Sequence, residues 1–438
     1  MTASRDFEKN YFKIIDNSTI SILLGPRRVG KSTFAEQYLN KNKLKAVHLN
    51  FDQLSTREEI LKYGLEKFVK SVSNNTNLIF IDEVQKEPRI FEEIKILYDS
   101  QKLKKGNKYK FILTGSSSID IHRNASESLA GRAQILRVHP FSLKESGRLD
   151  NSFASNSLNI NTIFNNNSSF EDIYKIKSSW EIPYSINKNI QSKIKEIIEY
   201  GSLPEVLEEK NIEFKQRYLV NYKDTYLEKD IRGTVNIGDL TSYSNLLTLL
   251  ASQSGSLIVK KELKEKTGIA FDTLNRYLSI LKGSYILLEL EPYIFSASKR
   301  LVKSSKSYFF DNGILALLTG FLSFDQLIST GLIGSRFENV VINELIKCIA
   351  PYYPLVEFYF WKSSGGKEID FIIDFKEKII PVEIKWTNNA KNIKTSSLTG
   401  FLKDYKKAKY GIVVYNGDFL IDKEKKIIFL PFSHFAFF

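Results

Sequence analysis

The chain has 438 residues, 42% apolar and 26% charged, with 63 Lys and Arg against 50 Asp and Glu for a formal net charge of +13. That apolar content excludes a wholly disordered chain, the length suggests roughly two to four domains, and the basic balance favours an anionic partner such as nucleic acid over an acidic one. A single cysteine, Cys348, excludes an internal disulfide framework, and four scattered histidines (48, 122, 139 and 434) argue against a zinc site of His and Cys.

In chain order, short apolar runs at 19–26, 45–52, 77–84, 110–118 and 133–142 read as buried parallel strands. Amphipathic stretches at 57–72 and 89–102 read as the helices between them, so residues 1–145 are expected to form a doubly wound α/β domain. Twelve of the twenty residues at 151–170 are Asn or Ser, which reads as a loop or partly ordered insertion, and the span 146–190 is expected to be an insertion or linker. From about 190 to 282 the periodicity is helical, and strands follow at 285–295 and 307–311. The expected last domain, 313–438, opens with an amphipathic helix at 336–349 and continues with strands at 356–362, 369–375, 379–386 and 410–415. No run is apolar enough to span a membrane, and MTASRDFEKN lacks the apolar core of a signal peptide. With the lone cysteine, this makes the cytoplasm the expected location and excludes a membrane partner.

Gly25-Pro26-Arg27-Arg28-Val29-Gly30-Lys31-Ser32 fits the pattern G-x-x-x-x-G-K-[ST], between an expected strand and an expected helix that begins Lys31-Ser32-Thr33. The glycines let successive N–H groups face phosphate oxygens, and the helix start adds its positive end. Lys31 is placed to reach the β- and γ-phosphates of ATP, and Ser32 to ligate Mg²⁺. Chance alone gives about 0.01–0.02 such matches in a chain of this length. The strand Leu78–Ile81 runs into Asp82 and Glu83, a costly end for a buried strand unless a cation offsets it. Asp82 is expected to hold Mg²⁺ through water, and Glu83 to polarise the attacking water. Thr114 or Ser116, at the end of the next strand, either positions that water or belongs to a Ser-rich turn. Arg132 is either an arginine finger, within the chain or towards a neighbouring subunit, or a solvated side chain.

These motifs resemble those of prokaryotic AAA-type ATPases: a GPRxxGKT loop at 25–33, a DEVQ box at 82–85, TGSSS at 114–118 and SLAGR…PFSxxE at 128–145. The resemblance continues through Tyr200-Gly201-Ser202-Leu203-Pro204-Glu205, Pro292-Tyr293 and Tyr308–Gly313. It implies an AAA-type parallel sheet, a homo-oligomer, and a C-terminal domain of restriction-endonuclease-like α/β fold.

Between these ends, Lys260–Thr267 and Phe271–Lys282 read as two helices joined at Gly268, followed by two strands, the pattern of a winged helix within a helical module at 191–312. The second helix is expected to expose Thr273, Asn275, Arg276, Ser279 and Lys282, and residues 255–306 carry ten Lys and Arg against five Asp and Glu. DNA is the expected partner through phosphate contacts, with a protein-docking module as the other reading. Farther on, a hairpin centred on Lys376-Glu377 sets Asp370 opposite Glu383, with Lys385 and Glu368 on the same face. Two such carboxylates repel by about 4 kcal/mol at an effective dielectric near 20, which predicts a Mg²⁺ site with Lys385 beside it. Asp…Glu-x-Lys resembles the PD-(D/E)xK nucleases, and the resemblance implies Glu338, on the preceding helix, as a further acidic ligand. The expected whole is an ATP-hydrolysing enzyme acting on or with DNA. The other reading is a regulatory ATP switch that binds protein partners and carries an inactive nuclease-like domain.

Overall fold

Two sheets organise the chain in a computed structural model, which describes residues 4–72, 76–103, 109–115, 121, 125, 127–149, 160–165, 167–175, 181–227, 240–294, 304–320 and 323–438. The first is all parallel, with strands β1 (Ile20–Leu24), β2 (Val47–Asn50), β3 (Leu78–Asp82), β4 (Lys110–Thr114) and β5 (Ala133–Arg137) in the order β2-β3-β4-β1-β5. Alternation along each strand supplies two cores. Ile20, Ile22, Ile79, Ile81, Phe111 and Leu113 pack on Leu65, Val69, Phe91 and Ile94 of the helices on one face. Leu23, Phe80 and Ile112 pack on Phe34 and Tyr38 of the helix Lys31–Lys41, and on Tyr11 and Ile15 of an N-terminal helix, Glu8–Asn17, on the other. The strand order inserts β4 between β1 and β3, so Thr114 lies beside the carboxyl ends of both.

The second sheet is mixed and has eight strands. These are β6 (Leu287–Pro292), β7 (Lys306–Phe309), β8 (Glu357–Lys362), β9 (Glu368–Asp374), β10 (Ile379–Lys385), β11 (Gly411–Tyr415), β12 (Leu420–Asp422) and β13 (Ile427–Pro431), in the order β12-β13-β11-β10-β9-β8-β6-β7. The antiparallel pair β9–β10 runs from Asp374↔Ile379 to Phe371↔Val382, the register that a hairpin centred on Lys376-Glu377 requires. Helices Lys260–Thr267 and Phe271–Gly283 precede the antiparallel pair β6–β7, and β6 joins the larger sheet through a short parallel pairing with β8. The strands β12 and β13 and the helix Glu8–Asn17 have no counterpart in the sequence-based reading.

Part of the Asn- and Ser-rich segment, read as a loop or partly ordered insertion, is helical: Asn161–Phe164 and Phe170–Lys175. Ile160, Ile163 and Phe164 stand at i, i+3 and i+4 and are buried with Phe170 and Ile173 in the core of the second sheet. A few apolar residues at helical spacing outweigh the polar composition around them.

Gly201 ends the helix Tyr184–Tyr200 at φ 80°, and an added Cβ would meet Asp311 Oδ1 at 2.0 Å. Asp311 Oδ2 accepts from the Ser202 N–H at 2.6 Å, and Asp311 Oδ1 caps the helix Asn312–Thr319 by accepting from Gly313 N at 2.9 Å. Gly201→Ala combines left-handed backbone with a buried clash and is expected to destabilise the protein by about 2–4 kcal/mol, read from chemical denaturation.

Candidate active site

The phosphate loop turns where the sequence places it. An added Cβ at Gly25 would meet the carbonyl oxygen of Val138, just beyond β5, at 2.0 Å, so only glycine lets the loop leave β1 there. Gly30, at φ 88°, starts the helix Lys31–Lys41, whose first N–H groups face the loop's concavity. Pro26, Arg27 and Arg28 form the crown of the loop. Arg28, at φ 62°, pairs with Glu205 Oε1 at 3.2 Å, and Val29 is fully buried. Lys31 is buried, its Nζ donating to the carbonyls of Gly25 (3.0 Å) and Pro26 (2.7 Å).

The acidic partners converge on the same edge. Ser32 Oγ donates to Asp82 Oδ1 at 2.9 Å, and Thr114 Oγ1 and the Glu83 N–H donate to the same oxygen. A hydroxyl and a carboxylate in this contact suit a hydrated divalent cation. Glu83 has left-handed backbone at φ 54°, and Gln85 Nε2 donates to Glu83 Oε2. Lys31, Ser32, Thr33, Glu83, Arg27 and Arg28 all line a cavity of about 740 Å³, which Phe141, Pro204 and Glu208 also line. That size is ample for a nucleotide. Ser116 lies outside the described residues. Arg132 is not brought to this cavity: its guanidinium grips Asp99 through two contacts, Nε–Oδ1 at 3.1 Å and Nη2–Oδ2 at 3.0 Å.

The residue that the sequence does not reveal is Arg5. It is 5% exposed, and its Nη1 donates to the Val29 carbonyl of the phosphate loop at 3.1 Å. Its Nε meets Glu145 Oε1 at 3.0 Å, and Nη2 donates to the carbonyl of His139 at 2.6 Å. Glu145 closes a capping box with Ser142, so PFSxxE is physically a helix start whose acid also holds Arg5. The S-x-x-E spacing is readable in the sequence; its partner at position 5 is not. One residue into that helix, Leu143 N donates to Glu344 Oε1 at 2.6 Å, and Lys347 Nζ donates to the Phe141 carbonyl at 2.8 Å. Burial raises the Glu344 carboxyl to about 7.

The helix Ile333–Ile349, which carries Glu344 and Lys347, presents Glu338 to the second candidate cluster. Glu338, Asp370, Glu383 and Lys385 are brought together as expected. Lys385 Nζ bridges Asp370 Oδ2 (3.1 Å) and Glu383 Oε1 (2.8 Å). Burial, followed by the charge of Asp370, raises Glu338 to about 7, and the same two causes raise Glu383 to about 7. Burial works against the Lys385 ammonium, but Asp370 and Glu383 outweigh it and raise its pKa. Lysines stand where the sequence reading puts a metal, and among the described residues no three acidic, His or Cys side chains are arranged to hold an ion. In this arrangement the cluster does not fit Mg²⁺.

With this geometry in view, residues 17–147 match the family model of the AAA domain. Residues 17–147 thus have an AAA-type P-loop ATPase fold. Behind the AAA domain, residues 191–325 and 333–435 match two domains of unknown function, DUF8612 and DUF4143. Uncharacterized proteins of Mycobacterium bovis (Mb2031c) and Mycobacterium tuberculosis (Rv2008c) are each 24% identical over 427 residues, covering 98% of this chain and 83% of theirs. The Walker-type ATPase PABY2304 of Pyrococcus abyssi is a structural neighbour at 17% identity and TM-score 0.48, with 72% of this chain and 96% of that chain covered. The Aeropyrum pernix ORC1 protein, solved in complex with DNA, is another at 12% identity and TM-score 0.30, with coverages of 75% and 94%. Among the described residues no helix is long and apolar enough to cross a membrane.

Proposed function

We propose that the chain is an ATPase that binds and hydrolyses ATP with Mg²⁺ at the P-loop cavity and acts on or with DNA, through a winged helix at 260–309 and a nuclease-like C-terminal domain. The observation that carries the reading is the meeting of Lys31, Ser32 and Glu83 on one cavity at the carboxyl edge of β1 and β3, with Asp82 accepting from Ser32 behind them. Mg²⁺ held at Ser32 and Asp82 supplies charge neutralisation at the phosphates. Lys31 exchanges the loop carbonyls for phosphate oxygens. Glu83 turns from Gln85 towards the water that attacks the γ-phosphate in line and polarises it. Arg132 acts across a subunit boundary, because its guanidinium lies outside its own chain's cavity; this requires a homo-oligomer.

DNA is supported by surface charge. Lys260, Lys261, Lys264, Lys266, Arg276 and Lys282 are exposed on adjacent helices, while Leu274, Tyr277, Leu278 and Leu281 are buried beneath. Fluorescence anisotropy with a short duplex tests this. Affinity is expected to fall linearly in log–log form between about 50 and 200 mM salt, and Arg276→Ala and Lys282→Ala each to lower the slope by about 1. A salt-insensitive affinity, or none, removes DNA. The lysine-filled cluster gives the alternative its own support: in this arrangement the C-terminal domain does not cleave, and the protein works as an ATP-driven switch.

A further inference from the structure

The short helix Pro204–Glu208 brings two carboxylates to the P-loop cavity. Glu205 and Glu208 stand at i and i+3, so they share one face, and both line the cavity. The residues between them are anchored, with Val206 and Leu207 buried in the hydrophobic cores. The chain that enters the helix is fixed as well. Phe141 N donates to the Ser202 carbonyl at 2.9 Å, and Lys347 Nζ donates to Ser202 Oγ at 2.9 Å. Rigid backbone therefore holds both carboxylates at the cavity.

Carboxylates are out of place beside a polyanion. They repel it, and they only accept hydrogen bonds. Glu205 is answered by Arg28 at 3.2 Å, which ties the helix to the crown of the phosphate loop. Glu208 has no such answer: among the described residues no hydrogen bond or ion pair engages its carboxylate. The donors that a nucleotide offers an acceptor are its ribose hydroxyls and the amino group of its base.

Strand order says which end of the nucleotide lies here. Asp52 follows β2 and Glu83 follows β3, on one side of β1, while Phe141, which binds Ser202, follows β5 on the other. With the γ-phosphate towards Glu83, the nucleoside extends towards β5 and the helix Pro204–Glu208. The ribose comes directly after the α-phosphate, and its two adjacent hydroxyls match the two oxygens of one carboxylate.

We infer that Glu208 is the ribose-binding residue of this site, accepting from the 2′- and 3′-hydroxyls, and that the site selects ribonucleotides. The inference rests on the P-loop cavity as an ATP site.

The test is binding of ATP and of 2′,3′-dideoxy-ATP to the full-length protein by isothermal titration calorimetry, with Ca²⁺ in place of Mg²⁺ to slow turnover. Wild type is expected to bind ATP about tenfold more tightly than the dideoxy analogue. Glu208→Ala is expected to bring that ratio close to one. The ratio is the readout because relief of charge repulsion on the triphosphate acts on both nucleotides equally and cancels. Glu208→Gln keeps an acceptor oxygen and is expected to retain part of the ratio. A ratio near one in wild type, or an unchanged ratio in Glu208→Ala, overturns the ribose assignment and leaves the ATP site intact. Failure of wild type to bind either nucleotide overturns both.

Discussion

Glu83→Gln leaves ATP bound and lowers turnover by about 10²–10⁴-fold. The amide keeps the size of the side chain and its place beside Gln85, so the cavity and the phosphate contacts of Lys31 and Ser32 are unchanged. Only the ability to polarise water is lost. Bound nucleotide is measured by titration with a fluorescent ATP analogue, and turnover by phosphate release. Parallel loss of binding and turnover would make Glu83 a structural residue of the β3 end. Unchanged turnover would move the base to another side chain.

Arg5→Ala is expected to cost about 3–5 kcal/mol, more than any surface substitution in the chain. The alanine leaves Glu145 buried without its counter-charge and frees the Val29 carbonyl, the loop contact that Arg5 makes from 24 residues away. Glu145 retains the Asp6 N–H at 2.6 Å and the Ser142 N–H at 2.9 Å, which keeps the loss towards the lower figure. Urea denaturation followed by circular dichroism measures it. Arg5→Met with Glu145→Gln removes both charges, and recovery of most of the stability in that pair identifies the uncompensated carboxylate as the cause. A loss below about 1 kcal/mol in Arg5→Ala would show that water takes over the guanidinium's bonds.

What was readable and what was not divides along sequence separation. The phosphate loop, the strand ending in Asp82 and Glu83, and the β9–β10 register are local: each follows from neighbouring residues and the periods of strand and helix. Arg5 is 140 residues from Glu145, in a polar stretch with no pattern of its own, and nothing near it in the chain announces burial. Lys306 misleads more directly. It counts among the ten cations of a basic region that sequence reading assigns to DNA, yet it points inward, because β7 carries it against the helix Ile333–Ile349. Net charge records the sign of a region and not the direction of each side chain. The Mg²⁺ expectation at Asp370 and Glu383 turns on the same point: Lys385, on the strand of Glu383, sits between the two carboxylates, while Lys306 answers Glu368 and Glu338 from another strand.

The helix Ile333–Ile349 links the two sites physically. Glu338 faces the acid cluster, while Glu344 and Lys347 hold the loop and helix start that Arg5 ties to the phosphate loop. A change at the loop therefore has a short rigid path to the C-terminal domain, and DNA on one side is expected to be felt as turnover on the other.

Phosphate release from ATP and Mg²⁺ by the wild-type protein, with and without duplex DNA, is the decisive measurement of an ATPase that works on DNA. Mg²⁺-dependent hydrolysis is expected to rise when DNA is added and to fall back as salt is raised. Protein that binds no ATP, or that hydrolyses it at a rate indifferent to DNA, contradicts it.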